Sequence, residues 1–132
     1  MKKEFYYVKF GLWYRPIIPI TLIHGKREVD YIALIDSGAD FNIFHNDVAE
    51  VLGIDLKKMK NGMQFAGIKE GAHGKGYFTS VDLSIDQTSF SAPVVFSNDI
   101  SNNGYGILGQ QGFFNNFNVE FDYQKKRIVI RK

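Results

Sequence analysis

Glu28-Val29-Asp30-Tyr31-Ile32-Ala33-Leu34-Ile35-Asp36-Ser37-Gly38-Ala39-Asp40 is the stretch that decides the reading of this chain. It opens as an alternating strand, closes in an apolar run and then breaks into turn formers. Ala33-Leu34-Ile35 drives into a core and delivers Asp36 at its end, so a carboxylate stands partly desolvated beside an apolar strand. Gly38 permits a close backbone approach, which allows its N–H to donate to the Asp36 carboxylate. Ser37 offers a short hydroxyl able to bond backbone across an interface. Taken alone, Asp-Ser-Gly is an ordinary turn, because these residues favour turns for local reasons. The surrounding segments are what make Asp36 a candidate catalytic carboxylate.

Upstream, residues 16–23 read as a strand and His24-Gly25-Lys26 as the turn joining it to the strand before Asp36. Pro16 and Pro19 lead us to expect that first strand at a sheet edge. Downstream, a short helix is expected with Asn46 or Asp47 as N-cap, ending at Leu52 before Gly53. Residues 63–77 hold Gly67, Gly71, Gly74 and Gly76 between apolar residues and read as a long glycine-rich hairpin. Residues 79–85 alternate as a half-buried strand, and residues 90–96 form another with Pro93 inside it. Asn102-Asn103-Gly104 is a turn. Residues 105–108 are a brief apolar strand closed by Gly109. Residues 110–117 suit one short helix, and residues 119–130 a closing hairpin.

Composition narrows the function classes. With 132 residues the chain has the length of one domain. Hydrophobic residues make up 45% and charged residues 23%, which suits a globular protein. The 12 Phe, 7 Tyr and 13 Gly favour strands joined by tight turns. A net charge of +2 gives little electrostatic reason to expect nucleic acid. The basic residues near both ends read as solvated strand flanks. There is no cysteine, hence no thiolate ligand or nucleophile. His24, His45 and His73 are too scattered to suggest a metal site. No run approaches the ~20 apolar residues of a membrane span. We therefore expect a cytoplasmic protein with no cofactor, no metal and no membrane or nucleic-acid partner.

Ala33-Leu34-Ile35-Asp36-Ser37-Gly38-Ala39 resembles the apolar-apolar-Asp-Thr/Ser-Gly-Ala signature of the retropepsin family, which includes retroviral proteases and related cellular and bacterial peptidases. Ile107-Leu108-Gly109 resembles that family's apolar-apolar-Gly strand beside the catalytic loop. The order agrees as well: an opening hairpin, the aspartate, a glycine-rich hairpin where the family has its flap, then Phe113-Phe114-Asn115-Asn116-Phe117-Asn118-Val119-Glu120-Phe121-Asp122, which resembles its last helix and strand. The tripeptide is weakly specific, whereas the ordered set, from about Arg15 to Arg131, is strongly so.

The resemblance implies an all-β, retropepsin-like closed barrel lobe with a flap hairpin and one or two short helices, spanning residues 1–132. It implies an aspartic endopeptidase in which Asp36 is catalytic and Ser37 and Gly38 support the loop. Ala39 and Asp40 would lie near the bound peptide; Asp40 is read equally as a structural acid bonded to a basic side chain. Gly67, Ile68, Lys69, Glu70 and Gly71 would form the flap tip over the substrate, unless this is an ordinary exposed hairpin. Ile107, Leu108 and Gly109 would be structural beside the site. The chain has one Asp-Ser/Thr-Gly set, and a two-carboxylate mechanism needs two, so a homodimer acting on an extended peptide is inferred. The alternative is a non-catalytic peptide-binding or dimerisation module of the same fold.

Some features depart from the family pattern. Lys69 and Glu70 put charge where many flap tips are apolar. Gln110 stands where retroviral proteases commonly carry a dimer-bracing Arg. Residues 1–14, rich in aromatics, have no clear counterpart and suggest an extra strand or a cover over the dimer surface.

Overall fold

Alternation in the two strands before Asp36 sets the architecture. Strand β4 (Ile17–His24) turns Ile18, Ile20 and Leu22 into the core, and β5 (Arg27–Ile35) turns in Ala33 and Ile35. The turn between them places Gly25 at φ 60°, in the left-handed region that glycine tolerates best. The computed structural model describes residues 1–59, 62–66, 73–100 and 104–132. Before β4 come β1 (Lys2–Tyr6), β2 (Val8–Phe10) and β3 (Trp13–Arg15). After β5 come β6 (Asn42–His45), helix α1 (Asn46–Val51), β7 (Gly62–Ala66), β8 (His73–Ile85), β9 (Thr88–Ser97), β10 (Gly106–Leu108), β11 (Asn118–Asp122) and β12 (Arg127–Arg131).

Six strands close a barrel in the order β4-β5-β10-β6-β9-β8, with β8 returning to pair with β4. The β5–β10 and β6–β9 pairings are parallel, and the rest of the barrel is antiparallel. Strand β7 extends the sheet beyond β8 as one arm of a hairpin. The fold is therefore an all-β lobe of the expected kind. The barrel interior is packed by Phe44, Phe96, Leu22, Leu83 and Leu108, all fully buried. Side chains of this size contribute about 1.5–3 kcal/mol each on burial. A second sheet, ordered β1-β12-β11, caps this core with Ile128 and Ile130. Residues 2–15 thus supply β1 to that sheet and the separate hairpin β2–β3. Among the described residues no helix is long and apolar enough to cross a membrane.

Three local expectations are corrected. First, β4 is not an edge strand, since it pairs with both β5 and β8. Ile35 N–H donates to the Pro16 carbonyl at 2.9 Å, which makes the even-numbered residues of β4 the ones bonded to β5. Pro19 therefore turns its missing N–H away from β5. On that side pairing with β8 starts only at Thr21, so no ladder bond is lost. Second, the cap of α1 is His45, not Asn46 or Asp47. Its ring Nδ1 accepts from Asp47 N–H at 3.1 Å, and Gly53 follows the Leu52 C-cap at φ 75°. Third, residues 110–117 form no helix: Gln111 bridges Phe41, and residues 112–116 run through turns. Gly112 sits at φ 109°, and Phe114 and Asn115 donate to the carbonyls of Gly109 and Gln110, five residues back. The turn expected at residues 102–104 falls largely outside the described residues.

Candidate active site

Asp36 owes its position to two flanking strands. Strand β10 lies parallel to β5 with Leu108 beside Ile35, and Asp36 N–H continues that ladder by donating to the Leu108 carbonyl at 2.9 Å. The chain then turns: Ala39 N–H donates to Asp36 C=O at 3.1 Å, and Gly38 N–H donates to Asp36 Oδ1 at 2.9 Å. A Cβ on Gly38 would stand 3.2 Å from that same oxygen, so glycine leaves the carboxylate room to sit against the backbone. Asp36 is half-buried, Ser37 and Gly38 are exposed, and Ala39 is buried beneath them.

The segment after β10 lines this loop. Gln110 N–H donates to Ala39 C=O and Gln111 N–H to Asp40 C=O, both at 2.8 Å. The Gln110 side chain reaches back, with Nε2 donating to Ser37 C=O at 2.6 Å. Gly109 is required at the crossing: a Cβ there would press on the Phe41 carbonyl oxygen and lie 2.7 Å from that of Ala39. Gly106 is required too, because a Cβ would overlap the Phe44 ring.

Asn42 was not singled out from the sequence, yet it is fully buried directly beneath the loop. Its Oδ1 accepts from Gly109 N–H at 3.0 Å, and its Nδ2 donates to Pro93 C=O at 3.3 Å. The available signal was a lone amide inside the apolar run Phe41-Asn42-Ile43-Phe44. Buried polar groups need partners, and this one finds them on two other strands or their ends.

Asp36, Ser37, Gly38, Ala39, Asp40, Ile107, Leu108 and Gly109 are thus brought together. Asp40 is exposed, and among the described residues its carboxylate forms no ion pair. The expected flap-tip residues Gly67, Ile68, Lys69, Glu70 and Gly71 lie outside the described residues. Beside the loop, Ile43, Val95 and Ile100 form a second apolar cluster with Phe41 and Ile107. Phe41 also meets Phe78 edge-on at 5.3 Å. Among the described residues, two surface clefts lie away from the loop. One of about 730 Å³ runs between β1 and β4, and the other is flanked by α1 and Tyr77; neither includes Asp36.

No family model matches the chain, and no curated protein matches it in sequence. Solved structures do. A retropepsin-like aspartic protease from Rickettsia conorii is similar over 98% of this chain and 98% of its own, with a TM-score of 0.72 and 16% identity. EIAV protease, in complex with the inhibitor HBY-793, is similar over 77% of this chain and 88% of its own, with a TM-score of 0.52 and 19% identity. At these identities the likeness is one of backbone, and it agrees with the all-β make-up and the closed barrel: the chain has the fold of the retropepsin-like aspartic proteases.

Proposed function

We propose that two copies of this chain pair to form an aspartic endopeptidase, each giving Asp36 to a shared site on the two-fold axis. The observation that carries this reading is the carboxylate of Asp36, presented at a strand end and held by the Gly38 N–H at 2.9 Å on an exposed loop. One carboxylate on an open face is half of a site. A second copy, related by two-fold symmetry, would bring an identical loop opposite the first and supply the other half.

The chemistry follows from that pairing. Two carboxylates roughly 3 Å apart cannot both ionise, so the pair holds one proton. The charged member takes a proton from a water between them as the water oxygen attacks the peptide carbonyl. The protonated member gives its proton to the carbonyl oxygen. Collapse of the tetrahedral adduct then breaks the C–N bond and passes a proton to the leaving amine. The substrate would bind extended, as an added strand between the loop and the β7–β8 hairpin, with residues 67–71 as the flap tip. Phe41, Ile43 and Ile107 favour hydrophobic side chains beside the cut bond.

The test is cleavage of a mixed peptide library between about pH 4 and 7, where carboxylate pairs commonly work, with Asp36→Asn as control. Cleavage by the native chain and none by the variant is the expected result. No cleavage by a native sample verified as dimeric would overturn the peptidase reading in favour of a peptide-binding or assembly module.

A further inference from the structure

The three successive N–H groups of residues 109–111 divide their work. Gly109 donates downward to the buried Asn42 side chain, while Gln110 and Gln111 donate upward to the carbonyls of Ala39 and Asp40. This accounts for two of the loop's outward carbonyls by backbone alone. The Ser37 carbonyl, next to Asp36, is reached by a side chain instead: Gln110 Nε2 at 2.6 Å. Asn42 holds the strip from below, being bonded to both Gly109 and Pro93, so the Gln110 stem starts from a fixed backbone.

We propose that Gln110 is a positioning residue, whose side-chain amide clamps the Ser37 carbonyl and so presets the Ser37–Gly38 peptide within a single copy of the chain. The consequence is specific. The Gly38 N–H that holds the Asp36 carboxylate lies just beyond Ser37, and rotation of the 37–38 peptide would carry it away. Fixing the Ser37 carbonyl blocks that rotation, because C=O and the following N–H belong to one planar unit. The dyad loop is therefore ready before a partner arrives, and pairing need only bring two finished halves together. Preset catalytic geometry of this kind acts on turnover more than on substrate binding.

The activity half of the test rests on the peptidase reading, whereas the exchange half does not. Gln110→Met keeps the length of the side chain and removes the donor; Gln110→Asn keeps the donor but shortens its reach; Gln110→Arg restores a donor at full reach. Each is made in the full chain. Hydrogen exchange of the Gly38 and Ala39 amides and peptide cleavage are measured on all three, beside thermal unfolding. Gln110→Met and Gln110→Asn are expected to speed loop exchange and lower kcat by about five- to tenfold with KM within about twofold. Gln110→Arg is expected to recover most of both, and the melting temperatures to stay together, since Gln110 is exposed. Native loop exchange in Gln110→Met and Gln110→Asn would overturn the clamp. So would a rise in KM at constant kcat. If the native chain cleaves nothing, the peptidase reading falls by itself and loop exchange alone decides the clamp.

Discussion

The loop after β5 and the hairpin β2–β3 are neighbours, joined where Pro16 C=O accepts from Ile35 N–H, yet they are held by different forces. The loop of residues 36–41 is captured by hydrogen bonds at almost every peptide: from Gly38 to the Asp36 side chain, from Asp36 to Leu108, and from Gln110 and Gln111 to Ala39 and Asp40. The hairpin leans on rings. Phe10 meets Tyr105 edge-on at 5.0 Å, and Lys126 Nζ sits 5.4 Å from the Tyr14 ring centre. Its outer side chains Leu12 and Trp13 are 83% and 66% exposed. Hydrogen bonds are directional and fix a peptide plane, whereas an edge-on ring contact tolerates sliding. Under the proposed pairing, a carboxylate that has to meet its twin at a set distance would need the first kind of support.

Breaking the loop should therefore cost more than breaking the hairpin. The largest effect is expected from Gly109→Ala, whose Cβ is forced against two carbonyl oxygens. Denaturant unfolding should show a loss of about 3 kcal/mol, at the upper end for overpacking because the obstacle is backbone. A loss below about 1 kcal/mol would mean that residues 108–111 can lift off the loop, which would then be held no more firmly than the hairpin. Phe10→Ala should cost about 1 kcal/mol, the order of one aromatic pair, while leaving exchange at Gly38 unchanged. Faster exchange at Gly38 in that variant would show that the hairpin also supports the loop.

A smaller, pH-dependent effect belongs to the hairpin side. Tyr7 joins β1 to β2, and its N–H donates to Lys126 C=O. Burial, then the neighbouring Tyr123 and Asp122, raises its hydroxyl above the ordinary tyrosine value of 10.0. The folded chain thus favours the neutral phenol. That contribution is complete below the unfolded value and is lost as the pH rises through the folded one. Tyr31 is raised in the same direction, by burial and then by Asp47, so the comparison must be made against Tyr7→Phe. Between about pH 9 and 11 the native chain should lose stability faster than the variant. Equal slopes would remove Tyr7 as the source.

What was legible in the sequence was legible for local reasons. Alternation in residues 79–85 and the apolar run into Asp36 can be read one segment at a time, because side-chain period and burial coincide there. The helix expected over residues 110–117 failed on Gly112, whose left-handed backbone is chosen by its surroundings: a Cβ there would overlap the Asn42 amide. Pro19 misled for a related reason. It forbids a partner on one side only, and the register decides which side that is. His45 caps α1 with a ring nitrogen, which sequence signals for capping by Ser, Thr, Asp or Asn do not cover.

By itself the sequence determined the all-β class, the order of the hairpins, the single Asp-Ser-Gly set and Asp36 as the group to watch. These follow from periodicity, turn chemistry and counting, none of which needs a distant partner. Only the tertiary structure decided that β4 closes the barrel against β8, that Asn42 binds Gly109 and Pro93 across strands, and that Gln110 reaches the Ser37 carbonyl. Asn42 and Gly109 are 67 positions apart in the chain, and Ser37 and Gln110 are 73 apart. A hydrogen bond over that separation exists only once the barrel has brought its ends within 3 Å, so no local pattern records it.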